Sequence, residues 1–186
     1  MLISTKMKKE LFQRIEIPEG VEVNVDGNLI IVNGKEGKVE RKFDFAKLII
    51  EKKNNEIIIG NKISTKKEKR RMNTITAHIR NMIQGVGEKF EYKLKVCFSH
   101  FPITVELKGN EALIKNFLGE RTPRKVKIPT GAEVKVDKDI ITIISPNVEV
   151  AGQAAANFEN VTRIVNRDRR IFQDGIFITS KAGEEI

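Results

Sequence analysis

Two stretches of this sequence repeat one plan. VDGNLIIVNGKEGKVERKF, starting at Val25, and LKGNEALIKNFLGERTPRKV, starting at Leu107, each run from a Gly-Asn turn through an apolar strand and a glycine loop to a basic strand. Aligning Gly27 with Gly109, Gly34 with Gly119 and Arg41 with Arg124 gives offsets of 82, 85 and 83 residues. A hairpin and then a helix follow in each half, so the chain reads as two copies of one unit. A competing register lays IEIPEGVEVNVD (15–26) on VKIPTGAEVKVD (126–137) at offset 111, with more identities. The first is preferred, because only there does each helix close its own unit. Each copy is then under about 100 residues, enough for a small core of its own.

The expected fold is α+β, a tandem duplication of a small antiparallel sheet packed on one helix. Strand candidates in the first half are EVNV, NLIIVN, KVERKF, LIIEKK and EIIIGN. In the second they are YKLKVC, ITVELK, ALIKNF, RKVKI, EVKVD and IITIIS, with turn signals such as Gly-Asn and Asn-Asn between strands. The first helix is expected over Asn73–Gln84, where Ile75, Ile79, Met82 and Ile83 recur at helical spacing and Gly85 and Gly87 stop it. The second is expected over Val148–Val165, capped by Asn147 or Ser145, with Ala151, Ala154, Ala155, Phe158, Val161 and Val165 on one face. The boundary falls near Gly87–Phe90, giving domains 1–88 and 89–186 that are expected to fold independently.

Composition narrows the function. The chain has 186 residues, 40% of them hydrophobic, and a net charge of +9, which points to a polyanionic partner. No apolar run approaches the roughly 20 residues that span a bilayer. The start, MLISTKMKKELFQ, lacks the apolar core of a secretion signal, and Met7 is a serviceable alternative start. The lone Cys97 excludes an internal disulfide framework and fits the cytoplasm. His78 and His100 fall in different units with no ligand at metal-binding spacing, and GKEGK has neither the length nor the following helix of a phosphate loop. No nucleophile, base and orienting group can be assembled. The expectation is a protein that is not an enzyme, with no cofactor, metal, membrane or small-molecule substrate.

Three basic clusters remain. KISTKKEKRR (62–71) has six basic residues and one acid, including Lys66, Lys67, Lys69, Arg70 and Arg71. It precedes the expected first helix, whose N-terminus favours acids, so it is expected to be a flexible arm that orders only on RNA. GERTPRKVK (119–127) is a tight loop with Pro123 between Arg121 and Arg124. RIVNRDRR (163–170) puts four arginines at the end of the expected second helix, followed by Phe172 and Gln173. Guanidinium groups pair with phosphate oxygens and stack on bases. Gln153, Asn157 and Asn160 add hydrogen-bonding groups along that helix, while Gly152 and the alanine run admit a close backbone, in the simplest case the unit's own sheet. Arg167, Arg169 and Arg170 are expected to emerge where the helix ends, on an extended stretch that IFI (176–178) pins to the protein. Each cluster has a plainer reading: solvated charge, a charged hairpin, or cations suited to a helix C-terminus.

MNTITAHIRNMIQGVGEKFEYKLKV (72–96), NFLGERTPRKVKIP (116–129) and GQAAANFENVTRIVNRDRRIFQDGIFI (152–178) resemble ribosomal protein six of the large subunit in its archaeal and eukaryotic form. The resemblance covers nearly the whole chain from about Met7. It implies a tandem of two similar α+β domains and a structural protein bound to 23S rRNA in the cytoplasmic ribosome. The implied place is the base of the stalk, among neighbouring ribosomal proteins, beside the sarcin-ricin loop and the translational GTPase site. The RNA-contacting tail it implies is Arg163, Asn166, Arg167, Arg169, Arg170, Phe172, Gln173 and Gly175, and the implied loop contacts are Arg121, Thr122 and Arg124. Where bacterial members carry Lys-Gly-Lys-Gly, this chain has Phe-Gln-Asp-Gly. The rival from another class is a protein-interaction module docking an acidic partner, its charge serving only to steer association.

Overall fold

The computed structural model describes residues 9–45, 47–53 and 55–186. Met7, the alternative start, lies outside them. The chain divides into two compact units between Glu88 and Lys89.

In the first unit, β1 (Lys9–Glu16), β6 (Glu56–Ser64) and β5 (Ile49–Lys53) form one antiparallel sheet in the order β1-β6-β5. A second sheet has the order β2-β3-β4, from β2 (Glu22–Asp26), β3 (Leu29–Gly34) and β4 (Gly37–Lys42). Helix α1 (Lys66–Gly87) closes the unit, burying Met72, Ile75, Ile79, Met82, Ile83 and Val86 against Val23, Ile30, Val32, Ile57 and Ile59. Each large apolar side chain buried there contributes about 1.5–3 kcal/mol. A Cβ on Gly34 would lie 2.3 Å from a Val86 methyl, so the β3–β4 turn reaches the helix only because that position has no side chain. Glu36 N–H then donates to Val86 O at 3.0 Å, taking up one carbonyl of the last helical turn.

The second unit repeats the order. β7 (Phe90–Cys97), β11 (Glu133–Asp137) and β12 (Ile140–Ser145) match β1, β5 and β6, while β8 (Thr104–Lys108), β9 (Glu111–Lys115) and β10 (Arg124–Lys127) match β2, β3 and β4. The Gly-Asn turns at 27–28 and 109–110 occupy equivalent hairpins, as the preferred register requires. β13 (Gly175–Lys181) and β14 (Glu184–Glu185) extend the larger sheet to β11-β12-β7-β13-β14. Along β7 the alternation of FEYKLKVC turns Phe90, Tyr92, Leu94 and Val96 inward. Helix α2 (Val148–Val161) lays Ala151, Ala154, Ala155 and Phe158 on that core, so its small face serves its own sheet. Each unit thus has two small sheets under its helix, where one had been expected.

Both helix boundaries correct the sequence reading. Helix α1 starts at Lys66, two turns before Asn73, so KKEKRR is helical and not a flexible arm. Thr65 is the N-cap: its Oγ1 accepts from Lys67 N–H at 3.3 Å, and Glu68 Oε2 accepts from Thr65 N–H at 2.9 Å and from its hydroxyl. This reciprocal capping box supplies the acid that a helix N-terminus favours, and the hydrogen bonds from Thr65 hold the Glu68 carboxyl below its ordinary value. Thr65→Ala is expected to cost about 1 kcal/mol and to speed amide exchange from Glu68 to Arg71. Hydrogen-exchange mass spectrometry checks this, and fast exchange there already in the parent chain would count against the capped helix.

Helix α2 ends at Val161, one turn before Val165. The buried Thr162 sets the end: its hydroxyl lies 3.3 Å from Phe158 O and 3.2 Å from Glu159 O and accepts from Ile176 N–H at 3.0 Å. One side chain therefore terminates the helix and ties it to β13. Val165 is exposed beyond it.

Candidate nucleic-acid interface

The four arginines of the third cluster lie on the loop between α2 and β13, not on the helix. Asn166 takes a left-handed conformation (φ 59°), and a turn closes where Ile171 and Phe172 N–H donate to Asp168 O at 3.1 and 2.9 Å. The segment 168–172 is therefore a turn and not the extended stretch expected. Its end is fixed as β13 pairs with β7, setting Ile176 opposite Val96 in the core.

Asp174 anchors the loop from inside. It is 1% exposed, and its Oδ1 accepts from the backbone N–H groups of Ser99 and His100 at 2.7 and 3.0 Å. Its Oδ2 lies 2.6 Å from His100 Nδ1 and 3.4 Å from Ser99 Oγ. Burial pushes this carboxyl up, but the His100 and Ser99 amides and the His100 ring outweigh it and hold the value at about 2. The His100 ring stacks on Phe172 with centroids 4.9 Å apart, and the Arg167 guanidinium lies 4.8 Å from the Phe172 centroid. Phe172, implied as an RNA contact, is thus engaged by the protein's own groups. A chain of contacts runs from the β7–β8 connection through His100 and Phe172 to an exposed arginine.

The β9–β10 loop meets the same place. Asn116 and Leu118 adopt positive φ in a one-turn 3-10 helix (Phe117–Gly119), which swings Arg121 and Thr122 to the surface. Arg124, also an implied RNA contact, turns toward the protein's own groups. Its guanidinium donates to both Glu120 oxygens at 2.7 and 2.5 Å and to Val161 O at 2.5 Å, and it stacks 4.3 Å from the Phe117 centroid. The Glu120 carboxyl is held low chiefly by these Arg124 bonds, with Arg167 adding through space, so the two loops lie together. Arg124→Ala is expected to destabilise this unit by about 1–3 kcal/mol, because charged hydrogen bonds are lost from a half-buried site. Thermal melts check this. A variant with an unchanged melting temperature would restore Arg124 to the free arginines.

Each implied residue now has a place. Among the described residues, Arg121, Arg163, Arg167 and Arg169 have no carboxylate within ion-pairing distance, and all four are exposed. Arg170 pairs with Asp168 at 3.1 Å, with its side chain still 90% exposed. Asn166 is exposed, and Gln173 donates to Arg170 O at 3.2 Å. Gly175, also an implied contact, is buried, and a Cβ there would sit 3.2 Å from the Phe177 ring. Asn157 donates to Lys127 O and accepts from Gln153, so both serve the fold. In the first unit, Lys66, Lys67, Lys69 and Arg70 are exposed on the first turns of α1, and Arg71 pairs with Asp44 at 3.5 Å. Sequence reading missed Asp174 and His100, whose pairing spans 74 positions and leaves no local signal.

A duplicated α+β scaffold with unpaired arginines gathered on exposed loops is a basic scaffold protein built for an anionic partner. The family described as Ribosomal protein L6 matches residues 17–89 and 101–175, one segment in each unit. Similar proteins include the large ribosomal subunit protein uL6 of Methanobrevibacter smithii, 42% identical over 97% of this chain and 99% of that one. The uL6 proteins of Methanosarcina mazei (42% identical, 95% of this chain and 100% of that one) and Sulfurisphaera tokodaii (40%, 92% of each) are similar over almost the same span. The chain belongs to the ribosomal protein L6 family, and as such it is a structural ribosomal protein and not an enzyme.

Proposed function

We propose that the chain binds 23S rRNA near the base of the stalk, beside the sarcin-ricin loop and the translational GTPase site, as a structural constituent of the large subunit of the cytoplasmic ribosome. The observation that carries this reading is the convergence of the 116–124 and 162–174 loops, which present Arg121, Arg163 and Arg169 without an acidic partner among the described residues, with Arg167 exposed beside them over Phe172 and within electrostatic reach of Glu120. Charge held at a protein surface without internal compensation is available to phosphate. The exposed Lys66, Lys67, Lys69 and Arg70 supply a second basic surface on the first unit. Proteins at the stalk base are its neighbours in this reading.

Binding to a 23S fragment containing the sarcin-ricin region, measured across a salt series, tests the proposal. Four phosphate contacts give a slope of log affinity against log salt of about −3 or steeper. A flat dependence would favour a protein partner instead. The residues 1–88 and 89–186 are further proposed to fold independently, since each has its own core. Well-dispersed amide spectra of the separate halves are expected, and collapsed spectra for both would refute independence.

A further inference from the structure

Behind the arginine loop, where the end of α2 faces β13, lies a cleft of about 740 Å³, within the roughly 300–1,000 Å³ of small-ligand sites. Phosphate pairing needs only guanidinium groups at a surface and leaves this cleft unexplained. Phe177 lines it and is 39% exposed, although its neighbour Ile176 is fully buried. The Asn160 side chain, at the last turn of α2, makes no hydrogen bond among the described residues. Gln173 uses one N–H on Arg170 O and keeps its carbonyl oxygen as an acceptor. Arg163 and Arg169 stand on the same cleft, and Glu159 adds an acceptor. The Asp174 carboxylate, also on the lining, is already taken by Ser99 and His100.

This combination matches one chemistry. A nucleobase offers a flat apolar face and an edge of donors and acceptors, with anionic phosphates on either side. We propose that the cleft receives a single nucleotide unstacked from the RNA: its base lies on Phe177, Asn160 and Gln173 meet its edge, and Arg163 and Arg169 hold the flanking phosphates. Gly175 packs under the same ring, where a Cβ would come within 3.2 Å of the Phe177 edge. The inference rests on the rRNA-binding reading above and adds a base contact to its phosphate contacts.

The test uses the full chain, the 23S fragment and the variants Phe177→Ala and Asn160→Ala. Stacking on an aromatic side chain predicts a loss of affinity of about tenfold or more for Phe177→Ala. Asn160→Ala, at an exposed position with no internal bond to lose, is expected to weaken binding by about fivefold with an unchanged melt. Neither removes a phosphate contact, so the salt slope stays as in the parent. Base-specific chemical probing should show one nucleotide protected by the parent chain and exposed again with either variant. Parent-like affinity and protection with Asn160→Ala and a folded Phe177→Ala would overturn the proposal while leaving rRNA binding intact. A change in salt slope with either variant would also overturn it, since Phe177 and Asn160 would then be serving phosphate contacts and not a base. Absence of RNA binding by the parent would remove both readings.

Discussion

Reversing Arg163 and Arg169 together to glutamate is expected to lower affinity for the 23S fragment by roughly a hundredfold or more, at a melting temperature within a few degrees of the parent. Both guanidinium groups sit on the 162–174 loop, exposed and without a carboxylate partner among the described residues, so the fold loses no ion pair with them. Two lost phosphate contacts also flatten the slope of log affinity against log salt by about 1.4–1.8. Arg170, held by Asp168, and Arg124, built into the β9–β10 loop, are poorer choices because each change disturbs a contact inside the protein. If the double variant binds normally, the loop is not the contact. If it unfolds, these arginines serve the fold, as the plainer sequence reading held.

Asp174→Ala is expected to destabilise the second unit by about 3 kcal/mol or more, because two backbone N–H groups and the His100 ring lose a buried acceptor. For a unit of this size that lowers the melting temperature by roughly 15 °C. Asp174→Asn keeps one acceptor oxygen and is expected to lose about half as much. The same carboxylate shapes the acid response. Its value in the folded protein, about 2, lies below its ordinary 3.8, so its contribution is complete above about pH 4 and fades as pH falls toward 2. The parent chain is therefore expected to lose about 2 kcal/mol over that window, and Asp174→Asn to lose much less. Melts recorded between pH 7 and pH 2 decide the matter: parallel curves for parent and variant would show that Asp174 does not anchor the loop. Because His100 and Phe172 connect Asp174 to Arg167, the variant should also bind RNA more weakly below its melting point.

The repeat was legible because it is written in turn chemistry. Gly-Asn pairs before apolar runs fix hairpins locally, and the α+β class followed from their order with the two helices. The helix ends were harder, for separate reasons. At α1 the signal was present: Thr65 and Glu68 stand at capping-box spacing, but the basic residues between and after them masked it as a charged linker. At α2 the apolar period runs on to Val165, and only the contact of Thr162 with Ile176, 14 positions away, shows why the helix stops. β1 and the full pairing of β13 depend on distant partners, β6 and β7, so their short sequences carried little of their own.

The arginines themselves were visible as a cluster, but their state was not. Arg121 and Arg124 stand three positions apart in one loop, yet one is exposed and the other forms bonds to Glu120 and Val161. Sequence spacing cannot separate them, because the partner carbonyl comes from another element. Phe172 reads as a stacking residue for bases and is occupied by His100 and Arg167. Phe177 read only as part of the strand that pins the loop, yet it is the ring left exposed on the cleft.

In the proposed function, rRNA contacts of the 162–174 loop hold this chain in the large subunit. Crosslinking the protein in cells, sequencing the attached RNA and mapping the crosslinked peptide tests it most directly. Reads concentrated in 23S rRNA around the sarcin-ricin region, and peptides from residues 162–174 and 116–124, are expected. Recovery of mostly non-ribosomal RNA, or of none, would contradict it.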